Sequence, residues 1–138
     1  MMVDEIDDKI LKILGENSRA TYVEIGNAVD LSEGAVRNRI QALVGSGVIR
    51  RFTIEVAPAL GVRALVMISV NPSVPTLSVS EEVERLHGVE RIYEVTGEYD
   101  IIIVVSHPSI EGINTCIEDI RKIDGVVKTN TVIVLRTV

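Results

Sequence analysis

The chain has 138 residues, 46% of them hydrophobic, and a formal net charge of −6. Its apolar runs are too short to cross a membrane and its acidic N-terminus is unlike a signal sequence, so a cytoplasmic protein is expected. The single cysteine, Cys116, excludes an internal disulfide. A chain of this length forms one domain or two very small ones, and units so small are marginal unless they oligomerise.

The first fifty residues carry three helical patterns. The first covers residues 4–14, with isoleucines on one face and acids in the first turns, where negative charge suits the helix dipole. The second covers residues 21–29 and opens with a capping box of Thr21 and Glu24. Only two residues separate it from a third helix that Ser32 can cap. So short a turn predicts the steep crossing of a helix-turn-helix.

The third helix has two chemically different faces. Its apolar stripe consists of Val36, Ile40 and Leu43, which must face a core. The opposite face carries long or amide side chains that can hydrogen-bond base edges and phosphates in a major groove. With the caps and the basic residues that follow the helix, the candidate DNA contacts are Thr21, Tyr22, Ser32, Glu33, Arg37, Asn38, Arg39, Gln41, Arg50 and Arg51.

Five of these candidates allow other interpretations. Arg39 borders the apolar stripe, so it can contact phosphate or tie the helix to its neighbours by a salt bridge. Glu33 would repel phosphate, but it can accept a hydrogen bond from a cytosine amino group. For Arg37, Asn38 and Gln41 the alternative is a plain solvated helix face.

A wing and then a break follow the third helix. Gly45 and Gly47 end the helix, and the alternating run to Val56 predicts a wing or short strand. Pro58 and Gly61 then interrupt the patterns on both sides. These signals divide the chain into a DNA-binding domain at residues 1–56, a hinge at 57–61 and a second domain at 62–138.

The negative net charge argues against binding of nucleic acid, but the charge is unevenly distributed along the chain. Residues 57–138 hold eleven acids and seven bases, and residues 1–18 hold five acids and two bases. Residues 19–51 hold five bases and three acids, which gives a local charge of +2. A DNA footprint depends on local charge. So weak a positive surface favours an oligomeric binder, since a dimer doubles the phosphate contacts.

The second half shows the order strand, helix, strand, strand, helix, strand. Strands are predicted at residues 63–70, 89–96, 100–106 and 126–138, and helices at 80–86 and 109–123. This α+β pattern is the ferredoxin-like, split βαβ arrangement, βαββαβ. Residues 65–68 and 101–105 are apolar on both faces of their strands, so the face away from the helices needs cover as well. The same sheet of a second protomer provides it in an isologous dimer.

These residues resemble the Lrp/AsnC, or feast/famine, transcription regulators. The resemblance covers essentially the whole chain and is carried by residues 8–14 (DKILKIL), Leu31-Ser32, Val36-Arg37-Asn38-Arg39-Ile40, Gly47-Val48-Ile49 and Gly97-Glu98-Tyr99-Asp100. It implies a winged helix-turn-helix followed by a RAM/ACT-like domain. It also implies dimers that assemble into tetramers or octamers, and an amino acid or related metabolite as effector.

The segment Gly97, Glu98, Tyr99 and Asp100 lies in a hairpin and allows two interpretations. It is a simple turn in which Gly97 takes positive φ, or a site where turn amides hold a carboxylate while Asp100 pairs with an ammonium group. The resemblance implies the second, with the site between dimers. Thr129 and Thr131 are weaker candidates for the same pocket, and both also suit a plain strand.

No catalytic triad, phosphate loop, metal site or cofactor site is recognisable, and neither His87 nor His107 has a second ligand at a useful spacing. A homo-oligomeric regulator of double-stranded DNA, switched by an amino acid through a population shift, is therefore expected. One alternative is an architectural DNA-compacting protein. Another is a tetrapyrrole decarboxylase of similar fold, which the two histidines and the acidic second half disfavour.

Overall fold

The computed structural model describes residues 1–56 and 61–138. The chain divides into two compact units, Met1–Val56 and Ala57–Val138. Of the hinge expected at residues 57–61, all but Gly61 lies outside the described residues. Among the described residues, every helix is too short or too polar to traverse a bilayer.

The N-terminal unit consists of α1 (Glu5–Glu16), α2 (Tyr22–Val29) and α3 (Glu33–Gly45). All three helices begin at a side-chain cap. The Asp4 carboxylate accepts from the Asp7 N–H at 2.8 Å, and the Ser32 hydroxyl oxygen accepts from the Ala35 N–H at 3.2 Å. Thr21 and Glu24 form the expected reciprocal capping box. The caps therefore start each helix where the sequence signals place it.

The short turn between α2 and α3 depends on close backbone packing. Asp30 ends α2 in the left-handed conformation, with φ of 57°. A Cβ added at Gly26 would collide with the carbonyl oxygen of Leu31, so the glycine lets the turn fold back against α2. Both helices then bury one side in a core formed by Ile10, Ile25, Val36 and Ile40.

The segment after α3 corrects the prediction of a wing. No strand is present between residues 48 and 56, although the described chain covers all of them. Ile49 packs against the core, but Phe52, Ile54 and Val56 are 53%, 77% and 66% exposed. Their alternation is that of a strand, and no strand of the described N-terminal unit is available to pair with them. The wing prediction is therefore wrong for the single chain.

The C-terminal unit is the expected βαββαβ fold. Its elements are β1 (Val62–Val70), α4 (Thr76–Glu84), β2 (Val89–Glu94), β3 (Ile101–His107), α5 (Ile110–Arg121) and β4 (Val126–Ile133). The strands form one antiparallel sheet in the order β2-β3-β1-β4. Both helices pack on one face, where they bury β1 and β3 residues such as Val66 and Ile103.

Two predicted boundaries in this unit are wrong. Helix α4 begins at Thr76, after Pro75 at its N-cap, rather than at residue 80, so its buried residues are Val79, Ser80 and Val83. Proline suits a helix start because it has no N–H to leave unpaired. Strand β4 ends at Ile133 rather than at 138, because its partner β1 begins opposite it: Ala64 pairs with Ile133.

The other face of the sheet keeps its apolar residues without a covering helix. Leu65, Met67, Ile102 and Val104 alternate with the buried core residues and are only half-buried. Tyr93 and Val132 are 53% and 43% exposed. We call the residues Leu65, Met67, Tyr93, Ile102, Val104 and Val132 the open sheet face.

Candidate functional site

The exposed side of α3 is the first candidate site. Val36, Ile40 and Leu43 are at most 6% exposed, which fixes the rotation of the helix. Arg37, Asn38 and Gln41 consequently point to solvent. We call these three residues the reading face. The sequence pattern thus predicted correctly which side of α3 is buried.

The Arg37 side chain contacts two neighbours. Its Nη2 atom lies 2.9 Å from Oε1 of Glu33, one helical turn earlier. Its guanidinium carbon lies 5.3 Å from the centroid of the Tyr22 ring on α2. The Arg37 and Glu33 side chains are 48% and 53% exposed, so their ion pair contributes little stability and exchanges readily. Arg37 is therefore oriented yet free to turn to a phosphate or a guanine edge.

Thr21 and Ser32 use their hydroxyl oxygens as helix caps. Both side chains are exposed, and a capping hydroxyl still has its own hydrogen to donate. They also mark the N-termini of α2 and α3, where backbone N–H groups attract phosphate. Arg50 and Arg51 are exposed in the segment after α3 and have no ion-pair partner within residues 1–56.

Arg39 ties α3 to α1 and is only partly exposed, so it is separate from the reading face. Its Nη1 atom lies 2.7 Å from Oδ2 of Asp4 and 3.0 Å from Oδ1 of Asp7, whose side chain is 5% exposed. The hydrogen bond from Arg39, with that from the Asp7 N–H, holds the pKa of the Asp4 carboxyl below its usual range. Of the two interpretations of Arg39, the structure shows the salt bridge, and we remove it from the DNA contacts.

The hairpin turn is the second candidate site. Gly97 has φ of +111°, as the turn requires. Asp100 fastens the turn to the end of β1: its N–H donates to the Ile68 carbonyl at 2.9 Å, and its Oδ2 atom accepts from the Val70 N–H at 2.7 Å. One carboxylate oxygen of Asp100 therefore already has a structural partner.

Lys128 on β4 is a residue that the sequence analysis missed. Its Nζ atom lies 3.6 Å from Oε1 of Glu98 and 5.5 Å from the centroid of the Tyr99 ring. Thirty residues separate it from the turn, and only the pairing of β4 with β1 brings the two together. No local sequence signal could have shown this contact.

The two threonines differ in their relation to the turn. Thr129 pairs with Ile68, the residue whose carbonyl anchors the turn, and its hydroxyl accepts from Arg121 Nε at 3.4 Å. Thr131 pairs with Val66, about 7 Å farther along the strand. Both share the face of Val66 and Ile68 that the helices cover, whereas Lys128 projects from the opposite face. The structure therefore places Thr129 close to the turn and Thr131 away from it.

The two histidines are adjacent in space, which their sequence positions did not indicate. Their ring centroids are 5.4 Å apart, and Nε2 of His107 is buried with no hydrogen-bond partner among the described residues. The His107 ring packs against Gly88 and Gly112, which leave room for it by having no side chain. Within the described ranges, no three potential metal ligands come together.

Two family models match the chain, one over each unit. The AsnC-type helix-turn-helix domain matches residues 3–44, and the Lrp/AsnC ligand binding domain matches residues 63–138. The chain belongs to the Lrp/AsnC family. The family resemblance inferred from the five sequence motifs is thereby confirmed, as is the α+β fold class.

Relatives within the Lrp/AsnC family match over nearly their whole length. The HTH-type transcriptional regulator LysM of Sulfurisphaera tokodaii is 48% identical and covers 97% of this chain and 96% of its own. The LysM protein of Saccharolobus solfataricus is 45% identical, and the match covers 98% of this chain and 95% of that protein. Among solved structures, a feast or famine regulatory protein from M. tuberculosis complexed with L-methionine has a TM-score of 0.86 at 29% identity, covering 99% of this chain and 94% of that one.

Proposed function

We propose that this chain is a sequence-specific, DNA-binding transcription regulator that responds to an amino acid or a related small metabolite. The reading face of α3 carries this proposal. It is exposed, it is set by a buried stripe on the opposite side of the helix, and Arg37 is already oriented on it. Family membership supports the same role, since its relatives are named as transcriptional regulators.

The unit that binds DNA is proposed to be a dimer. With Arg39 engaged by Asp4 and Asp7, one copy offers Arg37 on the reading face and Arg50 and Arg51 in the segment after α3, which is a small positive charge for binding DNA. The open sheet face supports pairing with a second copy, since an apolar surface of this kind is stabilised when another sheet covers it. Further assembly into tetramers or octamers belongs to the same proposal.

The ligand is proposed to act at the Gly97–Asp100 turn, between dimers. An amino acid bound there would favour one arrangement of the DNA-binding units over another, which changes operator affinity as a population shift. The segment 57–61 is the proposed hinge for that change. In the same proposal, the protein acts in the cytoplasm. The bound L-methionine in the mycobacterial relative supports an amino acid as the ligand class.

The DNA half is tested by fluorescence anisotropy with duplexes from the protein's own promoter region and with random duplexes of equal length. Arg37→Ala should lower affinity for the preferred site about 10- to 100-fold. Arg85→Ala, an exposed arginine at the end of α4, is the matched control and should have no effect. Equal affinity for all duplexes would indicate the architectural, DNA-compacting alternative.

A further inference from the structure

A small pocket lies at one end of the sheet in the C-terminal unit. Its volume is about 180 Å³, and its polar side chains are those of Arg63, Ser106, Arg136 and Thr137. Arg63 is near the start of β1, whereas the Gly97–Asp100 turn is anchored at Ile68, about 17 Å farther along the strand. The pocket is therefore separate from the ligand site proposed above.

Three segments of the chain bring these side chains together. Arg63 on β1 pairs with Ser106 on β3, so both side chains project from the same face of the sheet. Beyond β4, the Val134 N–H donates to the Arg63 carbonyl at 2.9 Å, which holds residues 134–137 beside β1. The two arginines of the pocket are far apart in the sequence, so no local pattern marks the site.

The Arg63 guanidinium is incompletely paired. Its Nη2 atom lies 3.6 Å from Oε2 of Glu90, and its Nε atom donates to the Ser106 hydroxyl oxygen at 3.4 Å. Both distances exceed the roughly 2.7–3.2 Å of a strong hydrogen bond from nitrogen to oxygen. A guanidinium carries five N–H donors, so most of those of Arg63 are open to a ligand, and Ser106 keeps its own hydrogen to donate.

The pocket concentrates positive charge in an acidic unit. Arg136 forms no ion pair within the described parts of the chain, and none of the described lining residues is acidic. Residues 57–138 hold eleven acids and only seven bases, yet two of those seven bases line this one pocket. Because like charges brought together repel, an anion bound between the two arginines is stabilised by both of them.

The volume and the charge of the pocket together indicate the class of ligand. Its volume of about 180 Å³ is below the roughly 300–1,000 Å³ of sites that enclose a whole drug-sized molecule, so it suits a single anionic group. A carboxylate carries one negative charge, which one guanidinium matches. A phosphate monoester carries nearly two charges on three oxygen acceptors, whereas a nucleic-acid backbone carries one charge at each phosphate.

We propose that Arg63 and Arg136, with the hydroxyl group of Ser106, bind the phosphate group of a small phosphomonoester. The two guanidinium groups donate to the phosphate oxygens. Because Arg136 is exposed, the pocket opens to solvent, where the rest of the ligand lies. The site goes beyond the proposed amino-acid response, since it gives the protein a second ligand at the other end of β1.

The experiment uses the full chain and isothermal titration calorimetry, in a phosphate-free buffer near neutral pH and at constant ionic strength. The probes are methyl phosphate, which is a monoester, dimethyl phosphate, which is a diester, and acetate. Methyl phosphate should bind at least about tenfold more tightly than either of the others, the effect of one additional charge-assisted hydrogen bond. Equal affinities for monoester and diester, or no binding of methyl phosphate, would overturn the proposal.

Two variants test the arginines themselves. Arg136→Gln changes an exposed side chain beyond the last strand, so the fold should be retained while the affinity for methyl phosphate falls about tenfold or more. Arg63→Gln should have the same effect. Arg85→Gln, an exposed arginine outside the pocket, is the matched control and should bind methyl phosphate as the wild type does. Wild-type affinity in Arg136→Gln would show that the phosphate binds elsewhere.

DNA binding distinguishes the two sources of a phosphate group. In fluorescence anisotropy without methyl phosphate, Arg136→Gln should bind duplex DNA as tightly as the wild type. A weakened complex with DNA would assign the pocket to the DNA backbone and overturn the monoester as its ligand. Because the probes contain no amino acid, these results do not depend on whether the Gly97–Asp100 turn binds one.

Discussion

The two units of this protein differ in how much of their functional surface one chain completes. In the N-terminal unit, caps, a close helix crossing and the Arg39 salt bridges fix α3, so the reading face is already formed. In the C-terminal unit, one side of the sheet is packed and the other remains open, and the ion pair of Lys128 and Glu98 beside the turn is exposed.

This difference reflects how far apart in the sequence the residues lie that form each functional surface. The reading face is specified mainly by local signals, the Ser32 cap and the helical spacing of the buried stripe, which a single sequence encodes strongly. The turn that we propose as the ligand site depends on the pairing of strands far apart in sequence and, in the same proposal, on a second copy. A regulator gains from this division, because its DNA surface stays constant while ligand and assembly change how two such surfaces are presented.

The largest expected effect is the loss of the N-terminal unit alone. In Gly26→Val a side chain would collide with the Leu31 carbonyl, so α2 and α3 must separate, at a cost of about 1–3 kcal/mol or more in a small unit. We expect DNA binding to disappear while the C-terminal sheet still unfolds cooperatively in calorimetry. Gly15→Ala, where a Cβ meets nothing within 4 Å, should keep full DNA binding.

The second effect concerns the open sheet face. Met67→Glu places a charge in the middle of that face and should convert dimers to monomers in analytical ultracentrifugation, with a dissociation constant raised about 100-fold or more. Leu77→Glu, on the exposed side of α4, is the control and should leave the dimer intact. Unchanged association of Met67→Glu would place the dimer interface elsewhere.

A smaller effect distinguishes the two arginines of α3. Arg39→Gln removes the counter-ion of the buried Asp7 carboxylate, so the melting temperature of the N-terminal unit should fall by several degrees. At a temperature where it remains folded, its preference between duplexes should equal that of the wild type. Arg37→Ala should do the opposite, with altered preference and an unchanged melting temperature. If both variants altered the preference equally, Arg39 would return to the DNA contacts.

The smallest effect is a pH dependence of the N-terminal unit. The Arg39 hydrogen bond lowers the pKa of Asp4, so the ionised carboxylate stabilises the fold above its ordinary pKa. That contribution is lost as the pH falls through the lowered value. Urea unfolding of wild type and Asp4→Asn should therefore differ near neutral pH and converge in strong acid. Asp8→Asn, an exposed acid on α1 paired only with Lys12, serves as the control.

The sequence was informative wherever the signal was local. Thr21, Ser32 and the stripe of Val36, Ile40 and Leu43 predicted α2, α3 and the buried side of α3, because caps and helical spacing act within one or two turns. The alternation of apolar strands and amphipathic helices likewise predicted the βαββαβ order of elements along the chain. The prediction of a wing was wrong because residues 48–56 alternate like a strand, whereas a strand also needs a partner strand, which alternation does not provide.

The tertiary structure decided which charged residues meet. Arg39 could have contacted phosphate, and only the packing of α1 against α3 brings it to Asp4 and Asp7, more than thirty residues away. Lys128 reaches Glu98 and Tyr99 only through the register of β4 on β1. Helical spacing and capping are properties of neighbouring residues, so this sequence by itself determined its family and the order of its helices and strands, apart from the wing. The pairing of distant charges depends on which surfaces pack together, and only the folded chain fixes that.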